Sequence, residues 1–344
     1  MSYIIKKNVS LKDLTTFRIG GNADYFVRVS NKEDLKEVVE YGKANRLPIF
    51  ILGGGSDILV SDKGFRGLVL QYDNKIISFK DSKKHSNVTA GSAVGWDDLV
   101  KECVKRKLQG IECLSGIPGS VGAAPVQNIG AYGQELKDYF VKLTAYDTKT
   151  AESVSLKIDD CKFGYRESIF KNTKYRGRYI ILDITLKLSK NNKPTLLYAS
   201  LISLMNEKKI VNPTLTQVRN MVLELREQKL ENPKKIGNAG SFFKNPILET
   251  KDFEKIQKKY PQIVSYPTDD GKVKLFAGWL IDQSGWKGKK YKNVMVSSKN
   301  ALIIVNPEEK GTAEEVKDLA NIITDDVYKK FGVKLEPEIH FIGF

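Results

Sequence analysis

Residues 116–133 hold five glycines and two prolines among small residues and no charged side chain. Glycine and proline at that density disfavour a long regular helix or a central strand, and a solvated linker would be more charged. The run therefore packs backbone-first. Two readings follow for such a run: a cradle for a flat or elongated ligand, or an irregular core loop.

The rest of the chain supplies the elements around it. At 344 residues, 41% hydrophobic and 10% aromatic, it is long enough for two or three domains and for a large buried cofactor. Residues 23–29 alternate as a strand; Ser30 to Glu33 forms a capping box for a helix with Leu35, Val38 and Val39 on one face; and Pro48 stops that helix. A short buried strand at 49–52 runs into Gly53, Gly54, Gly55, Ser56 and Asp57, where backbone N–H groups can approach an anion such as phosphate, although a plain glycine hairpin fits the same residues. The spacing matches neither GxGxxG before a helix nor GxxxxGK[ST], which disfavours a Rossmann site or a P-loop. Further strands are expected at 67–72, 75–80, 86–91, 141–146, 153–156 and 179–188, and helices at 96–107, 215–230, 251–260, 277–284 and 312–331. The last opens on a Thr312–Glu315 capping box and carries Val316, Leu319, Ala320, Ile323 and Val327 on one stripe. A boundary is expected between 190 and 213, with a turn at 191–194.

Composition restricts the chemistry. Cys103, Cys113 and Cys161 are odd in number, lack CxxC spacing and read as reduced core or near-surface residues. Only His85, in a polar hairpin loop, and His340, in a terminal strand, are available, so a Ser-His-Asp triad or a histidine-rich metal site is disfavoured and no metal is expected. The net charge of +15 comes from scattered lysine pairs, which argues for a solvated surface and for anionic small molecules over a nucleic-acid stripe. Neither a leader-like apolar run nor about 18 consecutive apolar residues occurs, giving the expectation of a cytoplasmic monomer with no membrane or nucleic-acid partner.

Several segments recur in one order: residues 16–21 (TFRIGG), the triple glycine, the 116–133 run, Gly164-Tyr165-Arg166-Glu167-Ser168, Asn238-Ala239-Gly240-Ser241-Phe242-Phe243 and the terminal Glu336-Pro337-Glu338. Together they resemble the UDP-N-acetylenolpyruvoylglucosamine reductase (UDP-N-acetylmuramate dehydrogenase) family over nearly the whole chain. The resemblance implies an α+β protein. Its flavin domain, 1–210, would be two-part and of the vanillyl-alcohol-oxidase / p-cresol methylhydroxylase type. An α/β substrate domain, 211–344, would follow, whose last strand, 335–344, is free to return to the first.

The same resemblance implies noncovalent FAD, NADPH as co-substrate and UDP-N-acetylglucosamine enolpyruvate as substrate, reduced to UDP-N-acetylmuramate in peptidoglycan precursor synthesis. Hydride from reduced flavin would go to the enolpyruvyl methylene, and Ser241 would protonate the α-carbon. Arg166 and Glu338 would stabilise the charge that forms between those steps. Flavin contacts fall on Gly53, Gly54, Gly55, Ser56, Gly116, Pro118, Gly119, Ser120, Gly122, Ala123, Asn128, Gly130 and Ala131; substrate contacts fall on Tyr165, Tyr198, Lys229, Asn245 and Asn300. Taken singly, Arg166 reads as a surface or ion-paired arginine, Glu338 as a solvated strand carboxylate, Ser241 as a turn residue and Tyr198 as an aromatic on an amphipathic helix. Asp57 stands where the family often has Asn, and a carboxylate beside a diphosphate would be repulsive unless it points away. Rival readings are an alcohol or lactone oxidase on the same flavin fold, which commonly anchors flavin through histidine, and a basic nucleic-acid-binding protein.

Overall fold

A computed structural model describes residues 3–191, 193–194, 196, 198–268 and 270–344. The turn expected at 191–194 and the stretch 196–201 include Asn192 and Leu197, which lie outside the described residues. The chain divides into two compact units: Met1–Val9, Ala23–Gly55 and Arg66–Glu227 in the first, and Ser10–Asn22, Ser56–Phe65 and Gln228–Phe344 in the second.

In the first unit, strands Lys6–Ser10, Asn22–Val29, Phe65–Tyr72 and Ile49–Ile51 lie side by side in that order, the last two parallel. Alternation along Asn22–Val29 buries Val27 and Val29 and exposes Arg28. The helix Lys32–Ala44 covers them with Leu35, Val38 and Val39, all at 0% exposure. Its cap lies one residue later than the sequence suggests: Asn31, not Ser30, accepts the Asp34 N–H, and its amide donates back to the Asp34 carboxylate. Both residue types cap helices well, so local sequence alone does not choose between them.

A second, wholly antiparallel sheet has the order Glu152–Lys157, Phe140–Asp147, Tyr179–Ser189, His85–Gly91, Ile77–Asp81. The helix Trp96–Lys105 shares its core, and the buried Trp96 indole donates to the Leu114 carbonyl at 3.0 Å, which satisfies its one polar atom. Between sheet and helix runs the 116–133 segment. It is less irregular than expected, since Val121–Gln127 forms a 3₁₀ helix and Gly130–Ala131 pairs with Gln134–Glu135. Helices Ala199–Glu207 and Leu215–Lys229 close a smaller core of Leu201, Leu204, Val218, Met221, Val222 and Leu225 around Cys113.

The second unit is built on the helix Ala313–Phe331, whose expected stripe packs among Phe242, Phe243, Val294 and Val296. Thr312 and Glu315 form the capping box, and the Asp62 carboxylate accepts the Ala313 and Glu314 N–H groups at 2.8 and 3.1 Å. The helix ends at Gly332, with φ 70°. Strands Gly237–Ser241, Ile303–Asn306, Val294–Val296 and Lys290–Tyr291 form one antiparallel sheet; Ile247–Leu248, Val273–Leu275 and Ser265–Pro267 form another. The expected terminal strand divides in two: residues 336–338 pair antiparallel with 242–244 through the bridge of Phe243 with Pro337, and His340–Ile342 runs parallel to Ile58–Val60. Among the described residues no helix is long and apolar enough to cross a membrane.

Candidate active site

In the first unit the triple-glycine turn lies flat against the 116–133 loop. A Cβ on Gly54 would stand 2.7 Å from the Gly119 Cα, and one on Gly53 2.9 Å from the Ser120 Oγ; Gly55 has φ 63°. Any side chain at 53 or 54 would therefore displace the loop. On that loop Gly122 approaches Ser92 just as closely, Pro118 is exposed, and Ala123 follows Gly122 into the 3₁₀ helix. The buried Ser120 Oγ and Gln127 Oε1 have no hydrogen-bond partner among the described residues. A glycine cradle beside the unsatisfied Ser120 Oγ, with a second unsatisfied polar atom on the same loop, fits a large planar cofactor with polar edges such as FAD.

The far end of the loop is tied to the Tyr165–Arg166 segment. Asn128, fully buried with φ 45°, donates to the Gly164 carbonyl and the Glu135 carboxylate and accepts the Lys137 N–H, so its side chain is committed to the protein. The Ser168 hydroxyl donates to the Val126 carbonyl. Arg166, itself at φ 53°, donates from Nη2 to the Gly130 carbonyl at 2.9 Å, and its guanidinium carbon lies 5.6 Å from the Tyr165 ring centre. Tyr198 precedes the first turn of Ala199–Glu207 and meets Tyr132 edge to face, ring centres 5.4 Å apart.

Two arginines absent from the sequence expectations lie beside this loop. Arg219 grips both oxygens of Asp97 at 2.5 and 2.7 Å, and Asp97 also accepts the Gly116 N–H at 2.6 Å. Burial works against the Asp97 charge, but these hydrogen bonds prevail and hold its carboxyl below the usual range. Arg226 lies over Gly116 and beside Tyr132. A signal for both was present: they fall seven residues apart on the face that carries Val218, Val222 and Leu225, where an amphipathic helix should be apolar.

In the second unit Ser241 ends the strand Gly237–Ser241 just after a break in register. Gly240 takes φ 73° there, and a Cβ on it would meet nothing within 4 Å, so the backbone angle and not space calls for glycine. Thr16 Oγ1 donates to the Asn238 carbonyl and Asn306 donates to the Phe17 carbonyl, which ties the 16–21 segment to the serine strand. Past the serine, Phe242 and Phe243 are buried, Phe243 bridges Pro337, and the Glu338 N–H donates to the Phe242 carbonyl at 2.8 Å. That bond brings Glu338, 8% exposed, alongside the residue that follows Ser241. Asn245 Oδ1 accepts the Ala277 N–H and so caps the helix Ala277–Gln283. Lys229, at the exposed end of its helix, and Asn300 line a cleft of about 240 Å³ together with Trp279, Asp282, Lys287 and Lys299. Asn300 Oδ1 is held by the Leu302 N–H.

Thus the folded chain joins the glycine turn to its loop, Arg166 to the loop's end, Glu338 to the serine segment, and Lys229 to Asn300. Comparison with known proteins is consistent along its length. Residues 23–156 match the profile of an FAD binding domain, and residues 229–342 match the C-terminal domain of UDP-N-acetylenolpyruvoylglucosamine reductase. The UDP-N-acetylenolpyruvoylglucosamine reductase of Flavobacterium johnsoniae is 40% identical over 342 residues, covering 98% of this chain and 99% of its own. That of Pseudomonas aeruginosa is 39% identical over 341 residues, with 98% and 99% covered. The crystal structure of the Thermus caldophilus enzyme of the same name, at 24% identity, shares the fold with a TM-score of 0.66 over 99% of each chain. The chain belongs to the UDP-N-acetylenolpyruvoylglucosamine reductase (UDP-N-acetylmuramate dehydrogenase) family, the flavoprotein oxidoreductases of peptidoglycan synthesis.

Proposed function

We propose that the chain reduces UDP-N-acetylglucosamine enolpyruvate to UDP-N-acetylmuramate, using NADPH and noncovalently held FAD. The turn 53–56 and the loop 116–133 would hold the cofactor; their close glycine packing and the unpartnered Ser120 Oγ and Gln127 Oε1 support this. When bound, FAD would supply the redox chemistry, the transfer of two electrons from NADPH to the enolpyruvyl methylene as hydride. What remains for the protein is charge and a proton. As hydride arrives, negative charge builds on the α-carbon beside an existing carboxylate. Arg166 offers a permanent cation with forked donors, and Glu338 a largely buried carboxyl able to share a proton. Ser241 gives its hydroxyl proton to the α-carbon; a hydroxyl is a weak acid, but a carbanion-like centre is a strong enough base to take it. Lys229 and Asn300, in a cleft that also holds Lys287 and Lys299, suit the substrate diphosphate. Tyr165, Tyr198 and Asn245 are assigned further substrate contacts, the flavin and substrate domains to 1–210 and 211–344, and the site of action to the cytoplasm.

The observation that supports this reading is the hydrogen bond from the Glu338 N–H to the Phe242 carbonyl, which brings the backbone of the largely buried Glu338 alongside the residue that follows the glycine-presented serine. Stopped-flow kinetics of Ser241→Ala test it. Flavin reduction by NADPH should stay near wild type, while reoxidation by the enolpyruvyl substrate slows by about 10²–10⁴-fold. Equal impairment of both half-reactions would mark Ser241 as a structural turn residue and remove its role.

A further inference from the structure

Residues 126–130 of the glycine loop are fastened to the segment 164–168 at three points. The Ser168 hydroxyl donates to the Val126 carbonyl, Asn128 Nδ2 to the Gly164 carbonyl at 3.1 Å, and Arg166 Nη2 to the Gly130 carbonyl at 2.9 Å. Left-handed backbone stands on both sides of the joint, with Asn128 at φ 45° and Arg166 at φ 53°. The Arg166 turn is closed by a reciprocal pair: the Gly164 N–H donates to the Glu167 carbonyl at 3.0 Å and the Glu167 N–H to the Gly164 carbonyl at 3.3 Å. The Gly164 carbonyl therefore accepts twice, from Glu167 and from Asn128, which uses both of its lone pairs.

The surroundings of residue 128 suit one side chain. It faces two acceptors, the Gly164 carbonyl and the Glu135 carboxylate, and one donor, the Lys137 N–H. An amide answers all three with two N–H groups and one carbonyl oxygen, and the partners also fix which way round it lies. Glutamine carries the same amide one methylene too far out, and asparagine tolerates a left-handed backbone better than most residues. Glu135 is itself held by Lys137 Nζ at 3.0 Å. At the other tether a Cβ on Gly130 would stand 3.2 Å from Arg166 Nη1, so the guanidinium lies directly on the loop backbone. We propose that Asn128 is a positioning residue for Arg166: it holds the left-handed turn that presents the arginine, so that loop and guanidinium keep one geometry. Its amide, fully buried and satisfied by protein groups, serves the arginine and not the cofactor.

The inference rests on reading Arg166 as the stabiliser of developing charge, and the experiment separates the two. Asn128→Gly suits φ 45° and removes the amide; Asn128→Asp keeps its size and the acceptor for Lys137 but cannot donate to Gly164. In the FAD-loaded protein each should slow flavin reoxidation by the enolpyruvyl substrate at least about tenfold, with flavin reduction by NADPH and FAD affinity within about threefold of wild type. Whichever variant folds, placed in an Arg166→Ala chain, should then change reoxidation by less than about twofold, because the group it positions has gone. Losses that multiply in the double variant overturn the proposal, since a merely structural asparagine acts independently of Arg166. So does failure of both Asn128 variants to fold or to hold FAD, the behaviour of a packing or cofactor residue. If Arg166→Ala is slow while both Asn128 variants reoxidise at the wild-type rate, only the positioning role fails. If Arg166→Ala itself reoxidises at the wild-type rate, the reading of Arg166 fails and the proposal with it.

Discussion

A carboxylate, a guanidinium and a hydroxyl can do little with a carbanion unless each is held in one protonation state, and the side chains here differ in how that is arranged. Arg166 is always charged, and Glu338 is largely withdrawn from solvent. If both stabilise charge that exists only as the substrate reacts, Arg166→Ala and Glu338→Gln should lower kcat by about 10²–10³-fold and leave substrate affinity within about tenfold. Steady-state kinetics with calorimetric binding checks this, and a change confined to KM would refer both residues to ground-state binding. The Asp97–Arg219 pair is a different case, since its work is to hold Gly116 and the helix behind it. Arg219→Met should cost about 2–3 kcal/mol at pH 7, by removing two charge-assisted hydrogen bonds. Because the folded carboxyl of Asp97 is held below its ordinary 3.8, its contribution is fully present above that value. It is lost as the pH falls through the folded pKa. Urea unfolding at pH 7 and pH 3 should therefore show the gap between wild type and variant closing in acid.

Elements were legible in proportion to how local their causes are. The helix Ala313–Phe331 could be read almost to its ends, because the Thr312–Glu315 box and a five-residue apolar stripe are contained in the segment itself. Asp62 could not be read: it caps the same helix from 251 residues away. Thr312→Ala should accordingly cost only about 1 kcal/mol, with Asp62 still covering the first turn, and Asp62→Ala with Thr312→Ala should cost more than the sum. Thermal unfolding of the two singles and the double tests that coupling. Ser241 was legible from its glycine-flanked turn, whereas for Arg226 the seven-residue spacing from Arg219 signals only an arginine on an apolar face and does not say what it covers. The glycines differ in kind as well. Gly240→Ala should cost about 1–2 kcal/mol through φ alone, while Gly54→Ala must push Gly119 aside and should weaken flavin binding at unchanged helix content.

For the molecule as a whole, the charge of +15 should act on rates more than on stability. Its substrates are anionic, so kcat/KM should fall as ionic strength rises from about 0.02 to 0.5 M while kcat holds, in line with screening over about 8 Å at physiological salt. Heating in denaturant should release all the flavin, as noncovalent binding requires; flavin that stays with the chain would contradict it. The buried cysteines carry one more consequence. Cys103, Cys113 and Cys161 all belong to the first compact unit, and burial pushes each thiol up to about 12. A thiol reagent at neutral pH therefore finds almost no thiolate until that unit opens. Trp279 and Trp286 belong to the second unit. During unfolding of a Trp96→Phe variant, which removes the first unit's own indole, alkylation would time the opening of the first unit while their fluorescence follows the second, so one chain would carry separate clocks for its two halves.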